Sequence, residues 1–291
     1  MKCLITGGSG FLGSHVADEL TKMGFEVTIF DKALSKWKKN NQKMVIGNLL
    51  EYKKLEKSIK EKDFVFHFAG LSDIEKAFNQ PIKTIEYNIL GTAYVLELCR
   101  KYKIKRFIQA STIYVNSKQG GFYRSSKKAA EDYIEEYQKR FGLNYTILRF
   151  GSLYGERSQK GNGVREIIYN ALKTNKVSYD GTNKTVREYV HVLDAAKATT
   201  DILKKKYKNK HIIITGKRKI KIKYALKKLA KILKIKSKIK FKNEQKAGHY
   251  VLSPYTFIPK KGKKYNIILE KNFEESLKNL ADEMKKNRRI W

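Results

Sequence analysis

The sequence predicts an α/β fold, a doubly wound parallel sheet of the Rossmann type with a smaller C-terminal lobe. A glycine-rich turn follows the first apolar segment, and apolar and amphipathic segments then alternate up to residue 150. Beyond residue 155 this alternation weakens. Alternating strands and helices are typical of a parallel sheet with helices on both faces. We therefore expect a first domain over residues 1–155 and a lobe over residues 156–291 that partly interleaves with the sheet.

The chain begins with a strand–turn–helix–strand pattern. A short apolar strand, Lys2–Thr6, leads into a turn with three glycines at intervals of three residues. An amphipathic helix over residues 11–23 and a second strand over residues 25–30 follow. In such a turn the first glycine bends the chain, the second admits a pyrophosphate and the third brings the helix close to the strand. The three glycines are Gly7, Gly10 and Gly13.

This pattern predicts a dinucleotide cofactor. The free N–H groups and the positive dipole end at the start of the helix suit phosphate groups, and Phe11 and Leu12 lie at that start. Asp31 ends the second strand, where it would accept hydrogen bonds from the adenosine ribose. Its charge repels a 2′-phosphate, which favours NAD over NADP, although the neighbouring Lys32 weakens that preference. We therefore expect residues 1–155 to bind NAD.

The remaining elements are predicted from apolar periodicity and from glycine and proline punctuation. Strands are predicted at residues 44–46, 63–70, 106–110, 145–150, 185–190 and 211–215. Helices are predicted at residues 51–60, 81–102, 123–141, 164–173, 193–205, 220–235 and 270–286. An aromatic-rich segment at residues 250–257 is expected to pack in the core, with a sugar or base pocket as the alternative.

Composition limits the class of protein. The chain has 63 Lys+Arg against 28 Asp+Glu, a formal net charge of +35. Such an excess of positive charge can indicate nucleic-acid binding. Most of these residues, however, are lysines scattered along the chain, whereas bidentate contacts to phosphates or bases favour arginine. We therefore expect the lysines to cover solvated surfaces. Two cysteines, Cys3 and Cys99, form no disulfide framework or zinc site. We expect a cytoplasmic protein with no signal peptide, membrane span, nucleic-acid partner or metal.

Three polar side chains form a candidate catalytic group. Thr112 follows the predicted strand at 106–110, and Tyr123 and Lys127 lie four residues apart on the next helix. That spacing puts both on one helix face, and active sites of doubly wound sheets lie beyond the carboxyl ends of the strands. A lysine beside a phenol favours the phenolate and lowers a pKa that starts at about 10. We therefore predict a tyrosinate base that, with NAD, interconverts an alcohol and a ketone.

At this point the chain resembles the extended short-chain dehydrogenase/reductase family, and in particular its nucleotide-sugar epimerases. The resemblance covers nearly the whole chain. It rests on the segments TGGSGFLG at residues 6–13, HFAG at 67–70, NILGT at 88–92, AST at 110–112, YRSSK at 123–127, LRFGSLYG at 148–155 and REYVHVLD at 187–194.

The resemblance implies a role for each matching residue. Tyr123 is the base, Lys127 binds the nicotinamide ribose, and Thr112 hydrogen-bonds the reacting sugar hydroxyl. The resemblance also implies a homodimer formed by the helices before and after Thr112, with burial under the chain's own lobe as the alternative. Expected cofactor contacts are Asn48 near the adenine, Ala69 and Ser72; expected substrate contacts are Ser111, Ser152 and Arg187.

Departures from the family pattern narrow the reaction. Fewer residues separate Thr112 from Tyr123 than in most members of the family. Ser152 stands at a position where many members have an asparagine near the substrate phosphates. Ile113 and Tyr114 stand where 4,6-dehydratases carry an Asp-Glu pair, and the glutamate of sugar-acid decarboxylases is missing as well. An NAD-dependent C4 epimerase of a nucleotide-diphosphate sugar is the first hypothesis. A 4-keto-sugar reductase or dehydrogenase is the second, and a non-catalytic RNA-binding or NAD(H)-sensing protein is the third.

Overall fold

The computed structural model describes residues 1–242, 263–265 and 271–286, so the aromatic-rich segment at 250–257 lies outside the described residues. The strands are β1 (Lys2–Thr6), β2 (Glu26–Asp31), β3 (Lys43–Ile46), β4 (Phe64–His67), β5 (Arg106–Thr112), β6 (Tyr145–Phe150), β7 (Ser152–Tyr154), β8 (Ser178–Tyr179), β9 (Val186–Arg187), β10 (Tyr189–His191), β11 (Lys210–Ile214), β12 (Ile220–Lys221), β13 (Lys240–Phe241) and β14 (Lys263–Lys264).

Helices follow most of the long strands. They are α1 (Phe11–Lys22), α2 (Tyr52–Ile59), α3 (Ile74–Asn79), α4 (Pro81–Ile85), α5 (Gly91–Lys101), α6 (Gly121–Phe141), α7 (Gly163–Thr174), α8 (Val192–Asp201), α9 (Ile222–Ile232) and α10 (Phe273–Lys286). Short 3₁₀ turns cover Ile113–Asn116 and Lys205–Tyr207.

The main sheet contains eight strands in the order β14-β11-β6-β5-β4-β1-β2-β3. Every pairing in it is parallel. The chain runs outward from β1 through β2 to β3, then returns to the other side of β1 at β4. This reversal confirms the predicted doubly wound fold, and it opens a crevice at the carboxyl ends of β1 and β4, where such sheets bind ligands.

The sheet is covered on both faces. Alternate residues of a strand point to opposite faces, so neighbours in β1 enter different cores: Ile5 belongs to the cluster with α1 and α8, and Leu4 to the cluster with α2, α5 and α6. Both side chains are fully buried. The position of α6 against this sheet is what brings its first turns to the end of β5.

The segment predicted as one helix, residues 81–102, is helical but changes its helix type part-way. It consists of α4, a π-helical turn at Glu86–Leu90 and α5, with no break in the helical path. A π turn inserts one extra residue and often lies at a functional site. Apolar periodicity over so short a stretch does not reveal that insertion.

The second half of the chain both extends the main sheet and builds a small lobe. Strand β11 pairs with β6, and α8 packs against α1. Helices α7, α9 and α10 enclose a separate apolar cluster that includes Ile168, Leu229 and Leu280. The domain boundary at residue 155 stays a prediction. Among the described residues, no helix combines the length and apolarity needed to cross a membrane.

The single strand predicted at residues 185–190 is wrong. The segment forms two short strands on either side of Glu188: β9 pairs antiparallel with β12, and β10 pairs parallel with β7. Both partners are distant in sequence, so the local apolar pattern does not indicate where the pairing changes.

Candidate active site

The glycine turn between β1 and α1 has the shape that a phosphate group requires. Gly7 has φ +74°, and a Cβ there would lie 2.5 Å from the Ala69 backbone nitrogen. A Cβ on Gly13 would lie 2.3 Å from the Gly7 carbonyl oxygen. At Gly10 the nearest heavy atom is that same carbonyl at 3.1 Å, so the outer side of the turn is open. The turn therefore fits a pyrophosphate at the start of α1.

Polar groups around this turn also suit a dinucleotide. No side chain caps the start of α1, where Phe11 and Leu12 form the first turn. The Asp31 carboxylate at the end of β2 accepts hydrogen bonds from the backbone N–H of Ser9 at 3.0 Å and of Ala33 at 3.3 Å. It thus lies beside the phosphate turn, and its bond to a ribose stays a prediction.

The other predicted cofactor contacts lie along the same edge of the sheet. Asn48 follows β3, where its amide donates to the Tyr87 hydroxyl at 3.2 Å and its carbonyl oxygen accepts from Leu50 N–H at 3.0 Å. Ala69 and Ser72 lie in the loop after β4, with Ser72 exposed. The loops of β1, β2, β3 and β4 therefore surround one crevice, and the individual contacts with NAD stay predictions.

The three predicted catalytic residues come together at the junction of β5 and α6. Thr112, the last residue of β5, is buried and shares a side-chain hydrogen bond with the phenol of Tyr123 in the first turn of α6. Lys127 follows one turn later, is 5% exposed, and donates from Nζ to the Ala110 carbonyl oxygen at 3.1 Å. A hydroxyl, a phenol and an ammonium group thus line one end of the crevice.

The electrostatics of this group differ from the sequence-based expectation. Burial raises the pKa of Tyr123 to about 12, opposed by the hydrogen bond from Thr112. The predicted lowering is therefore wrong for these side chains by themselves, because burial of the phenol is the largest cause of the shift and the Lys127 ammonium donates to the Ala110 carbonyl oxygen. Burial also lowers the pKa of Lys127 to about 8, opposed by the charge of Glu131.

Ser111 does not face the crevice with Thr112. Its hydroxyl donates to Glu131 Oε1 at 2.5 Å, and the residue is buried. This correction follows from strand geometry, since neighbouring residues of β5 cannot both point at Tyr123. Ser152 begins β7 and Arg187 ends β9, where its guanidinium donates to the Tyr179 hydroxyl at 3.3 Å. Their contacts with a substrate stay predictions.

Sequence reasoning missed a buried polar chain that links the glycine turn to α6. Thr6 donates to His67 Nδ1 at 2.6 Å, and His67 Nε2 lies 3.1 Å from Thr92 Oγ1. Because the Thr92 hydroxyl donates to the Asn88 carbonyl at 2.8 Å, we assign the proton of the imidazole to Nε2. Burial lowers the pKa of His67 to about 3, aided by the charge of Lys127, so the ring is neutral.

Asn88 completes this chain from within the π turn. Its amide accepts from Leu71 N–H at 2.7 Å and donates to the Leu71 carbonyl at 3.0 Å and to Ser126 Oγ at 2.9 Å. Ser126 in turn donates to the Tyr123 carbonyl at 2.9 Å. The available signal was the presence of the polar residues His67, Asn88 and Thr92 inside apolar segments, in the motifs HFAG and NILGT. Asn88 therefore links the loop after β4 to the first turns of α6, which carry Tyr123.

Comparison with known proteins gives the family. Residues 3–215 match the model of the NAD dependent epimerase/dehydratase family, which is more than half of the chain. The chain belongs to this family. Membership confirms the predicted resemblance and the predicted cofactor, NAD. Within the described residues, no cluster of three or more His, Cys, Asp or Glu side chains is suited to hold a metal ion.

The names of individual relatives refer to several related reactions. A dTDP-D-glucose 4,6-dehydratase of Dictyostelium discoideum is 34% identical over 70% of this chain, and the match spans 56% of that protein's length. A putative UDP-glucose 4-epimerase of Methanocaldococcus jannaschii is 33% identical over 74% of this chain and 77% of that protein. The crystal structure of UDP-glucose 4-epimerase from Thermotoga maritima with UDP-glucose has a TM-score of 0.86 at 24% identity, covering 99% of this chain and 100% of that chain.

Proposed function

We propose that this protein is an NAD-dependent nucleotide-sugar epimerase that inverts C4 through a transient 4-keto sugar. The observation that carries the proposal is the convergence of Thr112, Tyr123 and Lys127 at the carboxyl edge of the sheet, beside a glycine turn shaped for a dinucleotide. The substrate class is supported by the name of a relative 33% identical to this chain, a putative UDP-glucose 4-epimerase.

The residues of the chain supply the acid–base part of this reaction. Thr112 holds the sugar hydroxyl against Tyr123, whose phenolate takes the hydroxyl proton. Lys127 binds the cofactor ribose and stabilises the phenolate by its charge. NAD, when bound, supplies a hydride acceptor and donor at C4, and a positive ring charge that favours the phenolate. Tyr123 then returns its proton to the ketone oxygen of the turned sugar, so proton and hydride are both restored and no cofactor is consumed.

Elimination and decarboxylation are less well supported. The 3₁₀ turn after Thr112 begins with Ile113, which is fully buried, and continues with Tyr114. Neither side chain supplies a carboxyl group where the dehydratases of this family carry two. This argues against the reaction of the Dictyostelium relative, although that protein is similar in sequence.

A 4-keto-sugar reductase on the same scaffold is the second candidate function, because it would use the same three residues. The two reactions differ in whether NAD(P)H is consumed. Asp31, which lies beside the phosphate turn, favours NAD and thereby the epimerase, since reductases often use NADPH. The retained catalytic group argues against the third hypothesis, a non-catalytic RNA-binding or NAD(H)-sensing protein.

The test is incubation of the purified protein with UDP-, GDP- and dTDP-sugars without added cofactor, with C4 configuration followed by NMR. We expect inversion of at least one sugar with no net change in NADH. Stoichiometric consumption of added NAD(P)H would instead identify a reductase. Salt-sensitive RNA retention without any sugar conversion would favour the non-catalytic alternative.

We also propose that the protein is a homodimer. Helices α3 and α4 pack against α6, and their outer sides expose large apolar side chains that the described part of the lobe leaves uncovered. An exposed apolar surface of this kind is typical of a protein interface. Together with Phe122 of α6, whose ring centroid lies 6.3 Å from that of Phe78, these side chains form what we call the apolar helix face: Phe78, Ile82, Ile85 and Phe122.

A further inference from the structure

A buried carboxylate lies directly behind the catalytic residues. Glu131 follows Lys127 by four residues on α6, as Lys127 follows Tyr123, so the three side chains occupy successive turns of one helix face. Glu131 is 1% exposed. Family membership assigns it no part in the reaction. Its surroundings indicate one.

Glu131 is hydrogen-bonded to two adjacent strands and lies close to a third. Its Oε1 accepts from Ser111 in β5 at 2.5 Å and from Arg149 Nε in β6 at 3.1 Å, and its Oε2 accepts from Arg149 Nη2 at 2.6 Å. His211 Nδ1 in β11 lies 3.6 Å from Oε2, beyond normal hydrogen-bonding distance. Since Ser111 precedes Thr112 in the chain, this bond holds the end of β5 against α6 at the point where Thr112 meets Tyr123.

A stabilising role alone is a poor explanation for such a carboxylate. A buried ion pair contributes little net stability, because the loss of hydration offsets the attraction, and apolar residues of similar size often serve as well. A charge at this depth does, however, act strongly on another buried charge nearby. The nearest buried cation on the same helix is Lys127, whose ammonium group must stay charged to support the phenolate.

We propose that Glu131 is a positioning residue for the catalytic pair, holding α6 in register with β5 and keeping the Lys127 ammonium in its charged form. The proposal rests on the proposed function for its consequence in catalysis, but its electrostatic part concerns Lys127 in the protein itself. Other groups facing Glu131 are Arg149, His211 and Ser111, while Glu135 lies one turn further along α6 and accepts from His211 Nε2 at 2.9 Å.

The direction of the pKa shifts agrees with this arrangement. Burial alone raises the pKa of Glu131, but contacts from His211, Arg149 and Ser111 outweigh it and lower the pKa to about 2, so the carboxylate is ionised at neutral pH. Burial lowers the pKa of Lys127, and the charge of Glu131 opposes that shift. Removing the carboxylate should therefore lower the pKa of Lys127 further, so that a larger fraction of this side chain is uncharged at neutral pH.

The experiment measures Lys127 directly in the protein without substrate. Protein labelled with [ε-¹³C]lysine is titrated by NMR, and the Lys127 resonance is identified as the one missing from Lys127→Arg. We expect Glu131→Gln, which keeps the size of the side chain but removes its charge, to lower the Lys127 midpoint by about one pH unit or more, as expected for one buried charge at this spacing. Glu135→Gln is the matched control and should leave the midpoint unchanged.

Catalysis gives the second readout. The alkaline limb of the kcat/KM profile should move down in Glu131→Gln by the same amount as the NMR midpoint, with kcat reduced and the KM of the nucleotide sugar little changed. If Arg149, left unpaired, prevents folding of this variant, Glu131→Gln/Arg149→Gln removes both charges and should also lower the Lys127 midpoint.

An unchanged Lys127 midpoint in a folded Glu131 variant overturns the proposal, as does an equal shift in Glu135→Gln. A shifted midpoint in a protein that converts no nucleotide sugar supports the coupling of Glu131 to Lys127 and contradicts the proposed function instead. The two failures are therefore distinguishable.

Discussion

Thr112 and Tyr123 share a side-chain hydrogen bond across the junction between β5 and α6. This bond joins the last residue of a strand to the first turn of the helix that follows it, although ten residues separate the two in sequence. The Thr112 hydroxyl and the Tyr123 phenol therefore lie close enough for one sugar hydroxyl to contact both of them. That sugar hydroxyl would lie between the edge of the sheet and α6.

Replacing Tyr123 by phenylalanine should abolish most of the activity. The change removes the phenol oxygen and nothing else, so we expect kcat to fall by about 10²–10⁴, the usual loss for a general base, with NAD affinity little changed. C4 inversion is measured by NMR and cofactor binding by calorimetry. Tyr133→Phe, on the exposed side of the same helix, is the control. If kcat of Tyr123→Phe equals that of the parent, the phenol of Tyr123 is not the general base.

Replacing Asp31 by asparagine should weaken the preference for NAD. The amide keeps an acceptor for the Ser9 N–H but loses the charge that repels a 2′-phosphate, so we expect the ratio of NADP to NAD affinity to rise by about tenfold, as one nearby surface charge would give. Lys32→Ala should shift the ratio in the opposite direction. Both are measured as dissociation constants. Equal affinity for NAD and NADP in the parent protein would contradict the role of Asp31.

The first half of the fold and the convergence of Thr112, Tyr123 and Lys127 could be predicted because their signals are local. Strand–helix alternation, the three glycines and the spacing of Tyr123 and Lys127 are all read within short windows of sequence. The sign of the Tyr123 pKa shift could not be predicted in this way. It depends on burial by segments far away in the chain, and sequence spacing reports neighbours but not the depth at which they lie.

The same limit explains what was missed around the site. The resemblance implies a substrate contact for Ser111 as well as for Thr112, yet strand geometry turns Ser111 to Glu131 on α6. Asn88 belongs to a π turn, which periodicity does not detect. In the lobe, β9 and β10 separate at Glu188 because each pairs with a different distant strand. Each of these outcomes depends on a contact between residues remote in sequence.

Charging the apolar helix face should dissociate the proposed homodimer. Ile82 and Ile85, which are 67% and 51% exposed, lie one turn apart on α4. Lysine at both positions would bring uncompensated charges into an interface, so Ile82→Lys/Ile85→Lys should be a monomer by light scattering. Leu34→Lys, at a side chain also 67% exposed but in the loop after β2, should remain dimeric. A parent protein that is monomeric by light scattering would contradict the proposed homodimer.

The buried imidazole of His67 should make the protein sensitive to acid. Burial, with the charge of Lys127, lowers its pKa from 6.5 to about 3, so below pH 6.5 the unfolded chain binds a proton that the folded chain does not. The contribution of His67 to the free energy of unfolding is therefore fully present above pH 6.5. It is lost progressively as the pH falls from 6.5 toward 3. Between pH 6.5 and 5 the loss amounts to about 2 kcal/mol for a single histidine.

His67→Gln should remove this component. The variant lacks the titrating group, so its free energy of unfolding, measured by urea denaturation, should fall by about 2 kcal/mol less than that of the parent between pH 6.5 and 5. Between pH 9 and 8 the imidazole is neutral in both states, and the two proteins should respond to pH alike even if the variant is less stable throughout. Identical slopes in the acid range would mean that His67 is protonated in the folded protein, with both ring nitrogens as donors, so that Nδ1 would donate to Thr6 Oγ1.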